Sequence, residues 1–132
     1  MFGYCIWLEV PILWNYVINY AIEHHGEFFY PHMSIETKIQ TKDEALSKFN
    51  KGFFFLPFLT LGKPYITSES NFHVIQCDII EYPGKHISIA YRYDKKWTQE
   101  ELEDCKPPKR IKTGKIAVWY CNNKVIEWYK IK

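Results

Sequence analysis

Pro31-His32-Met33-Ser34-Ile35 and Lys85-His86-Ile87-Ser88-Ile89 carry one pattern twice: a histidine, an apolar residue, a serine and a second apolar residue. Both stretches read as strands. Side chains alternate across a strand, so residues two apart share a face. His32 and Ser34 then point one way and Met33 and Ile35 the other; His86 and Ser88 stand opposite Ile87 and Ile89 in the same manner. Each strand is expected to anchor by its apolar face and to present an imidazole and a hydroxyl on its polar face.

One H-x-S would carry little weight, because a lone strand histidine is usually a satisfied core or surface residue. The flanking sequence also repeats. Glu36-Thr37-Lys38-Ile39 extends the first strand, and Thr41-Lys42-Asp43-Glu44 opens a helix. Ala90-Tyr91-Arg92-Tyr93 extends the second, and Thr98-Gln99-Glu100-Glu101 opens another. Both helix starts have the T-x-x-E form of a capping box. The chain reads as a diverged internal duplication. Two such strands side by side gather two imidazoles and two hydroxyls around one cavity. Phosphodiester cleavage needs that set: a proton acceptor, a proton donor and hydrogen-bond donors for the non-bridging oxygens.

Paired H-φ-[ST]-φ motifs, one in each half of a small α+β domain, resemble the 2H phosphoesterase superfamily. The opening Tyr4-Cys5-Ile6-Trp7-Leu8-Glu9-Val10, a helix, and then Phe29-Tyr30-Pro31-His32 are similar to its cyclic-nucleotide phosphodiesterase branch. Both motif hydroxyls are Ser where Thr is common in that family, and the chain is short, similar in size to compact viral 2H domains. The resemblance implies an α+β, two-lobed domain with antiparallel sheets, helices on the outer face and a central groove. It also implies hydrolysis of a 2′,3′-cyclic phosphate or a 2′–5′ phosphodiester of a nucleotide or oligonucleotide. His32 and His86 are the expected acid–base pair, and which is acid and which base is left open. Ser34 and Ser88 are expected to bind substrate, with Trp7 and Tyr30 from the stretches that carry the resemblance. Arg92 joins them because strict alternation puts it on the face of His86, Ser88 and Ala90. Lys38 or Arg92 near the groove would lower an imidazole pKa, and Glu36 would raise it.

The rest of the chain fits one domain spanning residues 1–132. A net charge of +2 is too mild for a general nucleic-acid binder, and the basic run 106–112 reads as a solvated loop. Cys5, Cys77, Cys105 and Cys121 lack C-x-x-C spacing, so reduced thiols and a cytoplasmic setting are expected. Glu9, Pro11 and Asn15 interrupt the apolar opening, arguing against a signal peptide or membrane span. His24 and His25 are neighbours on a helix and diverge by about 100°. No metal or other cofactor is expected, nor a membrane or obligate protein partner; the chain reads as a monomer.

Residues 2–10 read as a first strand, followed by a helix opened by Pro11 with Trp14, Val17, Ile18, Ala21 and Ile22 as its buried stripe and Gly26 as its stop. A strand over 29–39 and a helix from 42 to about 51 follow. The run 53–59 reads as an edge strand or bulge at Pro57, Gly62-Lys63-Pro64 as a turn and residues 67–71 as a loop. Strands are expected over 72–80 and 85–93, then a short helix from 99. A C-terminal hairpin of 115–121 and 124–131 would turn at Asn122-Asn123. Two rival functions remain: a 2H enzyme degrading a signalling nucleotide such as 2′–5′ oligoadenylate or a cyclic dinucleotide, acting as an immune antagonist, and a non-catalytic RNA-binding module.

Overall fold

The computed structural model describes residues 3–122 and 124–132. Strand β1 (Gly3–Glu9) leads through a 3-10 turn (Pro11–Leu13) into α1 (Trp14–His24). Strand β2 (His32–Ile39) and helix α2 (Lys42–Asn50) follow, then β3 (Phe58–Thr60), β4 (Tyr65–Ser68), β5 (His73–Asp78) and β6 (His86–Arg92). Helix α3 (Gln99–Glu103), β7 (Arg110–Lys112), β8 (Ile116–Cys121), a second 3-10 turn (Val125–Glu127) and β9 (Tyr129–Lys130) complete it. Over the described residues the chain is an α+β domain. Its main sheet is antiparallel with seven strands, in the order β4-β5-β6-β2-β1-β8-β9; β3 and β7 form a small second sheet. Among the described residues no helix is long and apolar enough to cross a membrane.

One face of the main sheet is apolar. Leu8, Met33, Ile75, Ile87 and Ile89 join Val17 and Tyr20 of α1 and Leu59 and Ile111 of the small sheet in the principal core. Ile6, Ile39 and Val118 pack with Ala45 of α2. The helices therefore cover one face. The other face carries Cys5, Trp7 and Cys121, with Tyr30, Trp119 and Trp128 against them.

The sheet is not two lobes but one continuous surface with a weak seam. β5 and β6 pair along six residues and β1 and β8 along six, whereas β2 and β6 are joined through Met33 and Ile87. The motif strands meet at this seam.

Several expectations need correction. Arg92 is not on the groove face. The β5–β6 register steps from Ile75↔Ala90 to Gln76↔Ser88, so β6 holds one extra residue at Ile89. A bulge of this kind reverses the alternation beyond it. Tyr91 takes the groove side, and Arg92 turns into the core with 2% exposure. There it meets Glu101 at 2.5 Å, donates to the His24 carbonyl and stacks over the Trp97 ring at 3.8 Å. Glu101 is also the capping-box residue of α3: it accepts from Thr98 N–H at 2.9 Å, and Thr98 accepts its N–H in return. The cap of α2 is simpler, with Thr41 Oγ1 accepting from Glu44 N–H.

Thr67 and Ser68, expected as loop, are the end of strand β4, where they pair with Val74 and His73. The expected long C-terminal strand is a 3-10 turn and a two-residue strand. Its Asn122-Asn123 turn falls partly on Asn123, outside the described residues. In α1 the buried side chains are Val17, Tyr20 and Ala21, while Trp14 and Ile22 are exposed. The left-handed residue ending α1 is His25, at φ 59°, not Gly26. Gly26 serves close approach: a Cβ there would sit 3.2 Å from the Tyr91 carbonyl oxygen and from the Trp97 ring.

The Arg92–Glu101 pair sets a stability expectation. The Arg92 guanidinium holds the Glu101 carboxyl down to about 2, from an ordinary value of 4.5. A depressed carboxylate contributes stability above its unfolded pKa and loses it as pH falls through the folded one. Glu101→Gln leaves a buried guanidinium unpaired and is expected to lower urea stability at neutral pH by about 3–5 kcal/mol. That deficit should shrink as the pH approaches 2. A neutral-pH loss under about 1 kcal/mol would place the pair among surface ion pairs instead.

Candidate functional site

The Met33–Ile87 pair fixes the site. Counting outward along antiparallel strands puts His32 across from Ser88 and Ser34 across from His86. With Met33 and Ile87 fully buried below, all four polar side chains rise on the opposite face. They line one groove of about 300 Å³ over the seam. The two histidines sit on one diagonal and the two serines on the other.

His32 is 8% exposed and is held on three sides. Its ring lies flat on Trp7, centroids 3.3 Å apart and planes 7° from parallel. The Trp128 ring meets it edge-on at 5.9 Å. Nδ1 is 2.7 Å from the Tyr30 carbonyl oxygen. A carbonyl only accepts, so Nδ1 carries the proton and Nε2 holds the free lone pair. Burial, with a smaller push from His86 and against the opposing effect of the carbonyl, holds the pKa down to about 3. His32 is therefore a neutral imidazole over the ordinary pH range, with its acceptor nitrogen fixed.

His86 differs. It is exposed at the rim. Partial burial lowers its pKa, Asp78 raises it and Lys85 lowers it. Asp78 is its cross-strand partner on β5, and its carboxylate accepts from Tyr65 Oη at 2.7 Å. Lys85, beside His86 in sequence, lines the groove and donates to the Ile35 carbonyl at 3.1 Å. Ser88 is buried and lies 3.1 Å from Tyr91 Oη. Burial raises the Tyr91 phenol to about 12, so it stays protonated and able to donate, which frees the Ser88 hydroxyl to donate into the groove. Glu36 also lines the groove and is paired with Lys48 at 2.6 Å.

Of the residues singled out in the sequence, His32, His86, Ser34, Ser88 and Trp7 line the groove. Tyr30 does not: its ring stacks on Trp14 at 5.2 Å, and its contribution is the carbonyl that fixes the His32 tautomer. Arg92 lies in the core. Lys38, at φ 59° and exposed, is not among the lining residues. Lys85 supplies the positive charge that Lys38 or Arg92 was expected to bring, while Glu36 does line the groove but is paired with Lys48, and Asp78 is the acid that raises the His86 pKa. Sequence reasoning passed over Tyr91, Trp128, Lys85 and Asp78. Lys85 and Asp78 flank or pair with a motif strand. Tyr91 required the bulge, and Trp128 carried no local signal.

Away from the groove, the ligating atoms of Glu23, His24 and Asp104 lie within 4.8 Å of one another, with His24 Nε2 2.9 Å from Asp104. The four cysteines are buried and free.

Nitrogen-resolved NMR titration checks the asymmetry of the two rings. His32 should keep its Nδ1–H tautomer from pH 8 to 5 and protonate only near pH 3. His86 should protonate at higher pH than His32, though below the ordinary 6.5. A His32 ring that titrates near 6.5 would contradict the burial argument.

Neither family models, nor curated proteins, nor solved structures give a match to this chain.

Proposed function

We propose that the groove is the active site of a metal-independent phosphodiesterase of the 2H type. Its substrates carry a 2′,3′-cyclic phosphate or a 2′–5′ phosphodiester on a nucleotide or oligonucleotide. The observation that carries this reading is the diagonal placement of His32 and His86, each opposite a serine of the other motif.

The roles follow from the surroundings. His32 Nε2 takes a proton from water or from the neighbouring ribose hydroxyl, whose oxygen then attacks phosphorus. His86, in its protonated form, gives a proton to the departing ribose oxygen. Ser34, Ser88 and the Lys85 ammonium stabilise the non-bridging oxygens, where negative charge grows. A neutral, buried imidazole adds no positive charge and is a poor anchor for phosphate alone, which favours proton transfer over simple RNA binding. The Lys85 charge beside His86 disfavours a divalent cation in the groove.

His32→Ala and His86→Ala should each lower turnover of a 2′,3′-cyclic nucleotide by about two or more orders of magnitude, the usual weight of an acid–base group. Ser34→Thr and Ser88→Thr keep the hydroxyl and should retain more activity than the alanine variants. Wild-type activity should survive excess chelator. Near wild-type turnover after loss of one histidine would remove it from the mechanism. Activity lost to chelator and restored by Zn²⁺ or Mn²⁺ would make the histidines ligands.

A further inference from the structure

Next to the catalytic groove lies a second cavity of about 500 Å³, and two residues, Tyr91 and Trp128, line both. Trp128 stands between them as a blade. Its ring meets His32 at 5.9 Å and Tyr91 at 5.9 Å. Its indole N–H is spent on the Asn122 carbonyl at 2.9 Å, which fixes the plane and leaves the ring faces for contact. Tyr91 reaches Ser88 with its hydroxyl and meets Phe72 with its ring at 5.6 Å. The second cavity continues with Phe72, Tyr93, Asn71, Glu27 and Lys124.

This lining has a definite chemistry. Phe72, Tyr91 and Trp128 offer flat apolar faces. Asn71, exposed at the mouth, offers both a donor and an acceptor, and Glu27 an acceptor. A flat heteroaromatic ring with polar edges fits such a site: it stacks on the aromatic walls and hydrogen-bonds at its rim. A phosphate fits less well: the walls are mostly apolar, and the Lys124 charge is offset by Glu27 in the same lining. The catalytic groove, at about 300 Å³, is small for a ligand site. The two cavities adjoin at Tyr91 and Trp128, so a ligand occupying both would span that pair of rings.

We infer that the second cavity is a nucleobase subsite, and that the preferred substrate is at least a dinucleotide, with the phosphodiester in the His32–His86 groove and a neighbouring base held against Phe72 and Trp128. This inference rests on the phosphodiesterase reading of the groove. Binding energy gained at the base is available to position the phosphate, so a substrate lacking that base should be turned over less well.

The test compares adenosine 2′,3′-cyclic phosphate with 2′–5′-linked adenylyl-adenosine. The proteins are wild type, Phe72→Leu, which keeps bulk but removes the aromatic face, and Asn71→Ala at an exposed position. Equilibrium binding of the dinucleotide is measured in parallel to His32→Ala protein, with and without Phe72→Leu. Wild type should favour the dinucleotide by about tenfold or more in kcat/KM, the weight of one stacked base. Phe72→Leu should erase most of that preference and leave the cyclic mononucleotide unchanged, and Asn71→Ala should act in the same direction. Dinucleotide binding to the His32→Ala protein should weaken about tenfold with Phe72→Leu. Equal effects on both substrates, or none on either, would overturn the subsite. If neither compound is cleaved, the phosphodiesterase reading falls and the binding arm decides alone. Phe72-dependent dinucleotide binding then upholds the subsite; absent or Phe72-independent binding overturns it.

Discussion

The antiparallel pairing of Met33 with Ile87 is the constraint on which the site depends. Both side chains are fully buried in the principal core, so neither strand can slip by one residue without sending its apolar face into the groove. That register alone places each histidine opposite the other motif's serine. The seam is also where the sheet is least continuous, which leaves room above it for a groove. Flanking pairs of β1 with β8 and β5 with β6 hold the two halves, so the narrow junction is supported from both sides.

Two histidines with the same local sequence acquire different chemistry from their surroundings. His32 lies on Trp7 under Trp128, donates Nδ1–H to a carbonyl and is kept neutral by desolvation. His86 stands at the rim between an acidic and a basic neighbour. Burial penalises a charged imidazole, so the buried ring is the one held neutral with its lone pair available, and the rim ring is the one that more readily carries a proton. The proposed assignment of His32 as base and His86 as acid, open in the sequence, is argued from this asymmetry of protonation. The aromatic residues do more than fill space here: Trp7 and Trp128 set the dielectric of His32, and Trp128 and Tyr91 divide the groove from the cavity beside it.

Much of this was legible in the chain. Period-two patterning at 32–35 and 86–89 located the motif strands and their faces, and Thr41 and Thr98 located the helix starts. What was not legible depends on long-range pairing. The extra residue at Ile89 is visible only against β5, and it exchanges the fates of Tyr91 and Arg92. The end of β4 has a loop-like composition and is a strand because β5 offers it an edge. Trp128 reaches the groove by way of a 3-10 turn where alternating residues suggested a strand. The single sheet, in place of two lobes, likewise comes from the Met33–Ile87 junction.

The most direct test of the two-histidine account is the pH dependence of kcat/KM for a 2′,3′-cyclic nucleotide, which reports the ionisation of the free protein. The account predicts a bell displaced to the acid side: a rise as His32 loses its proton near pH 3, and a fall as His86 loses its own below the ordinary value of 6.5. These apparent values belong to the interacting pair. The Arg92–Glu101 pair keeps its charge down to about pH 2, so its loss does not set the acid limb. A profile that rises through neutrality and stays flat into the alkaline range would contradict the account, because it would require neither a protonated His86 nor a neutral, low-pKa His32.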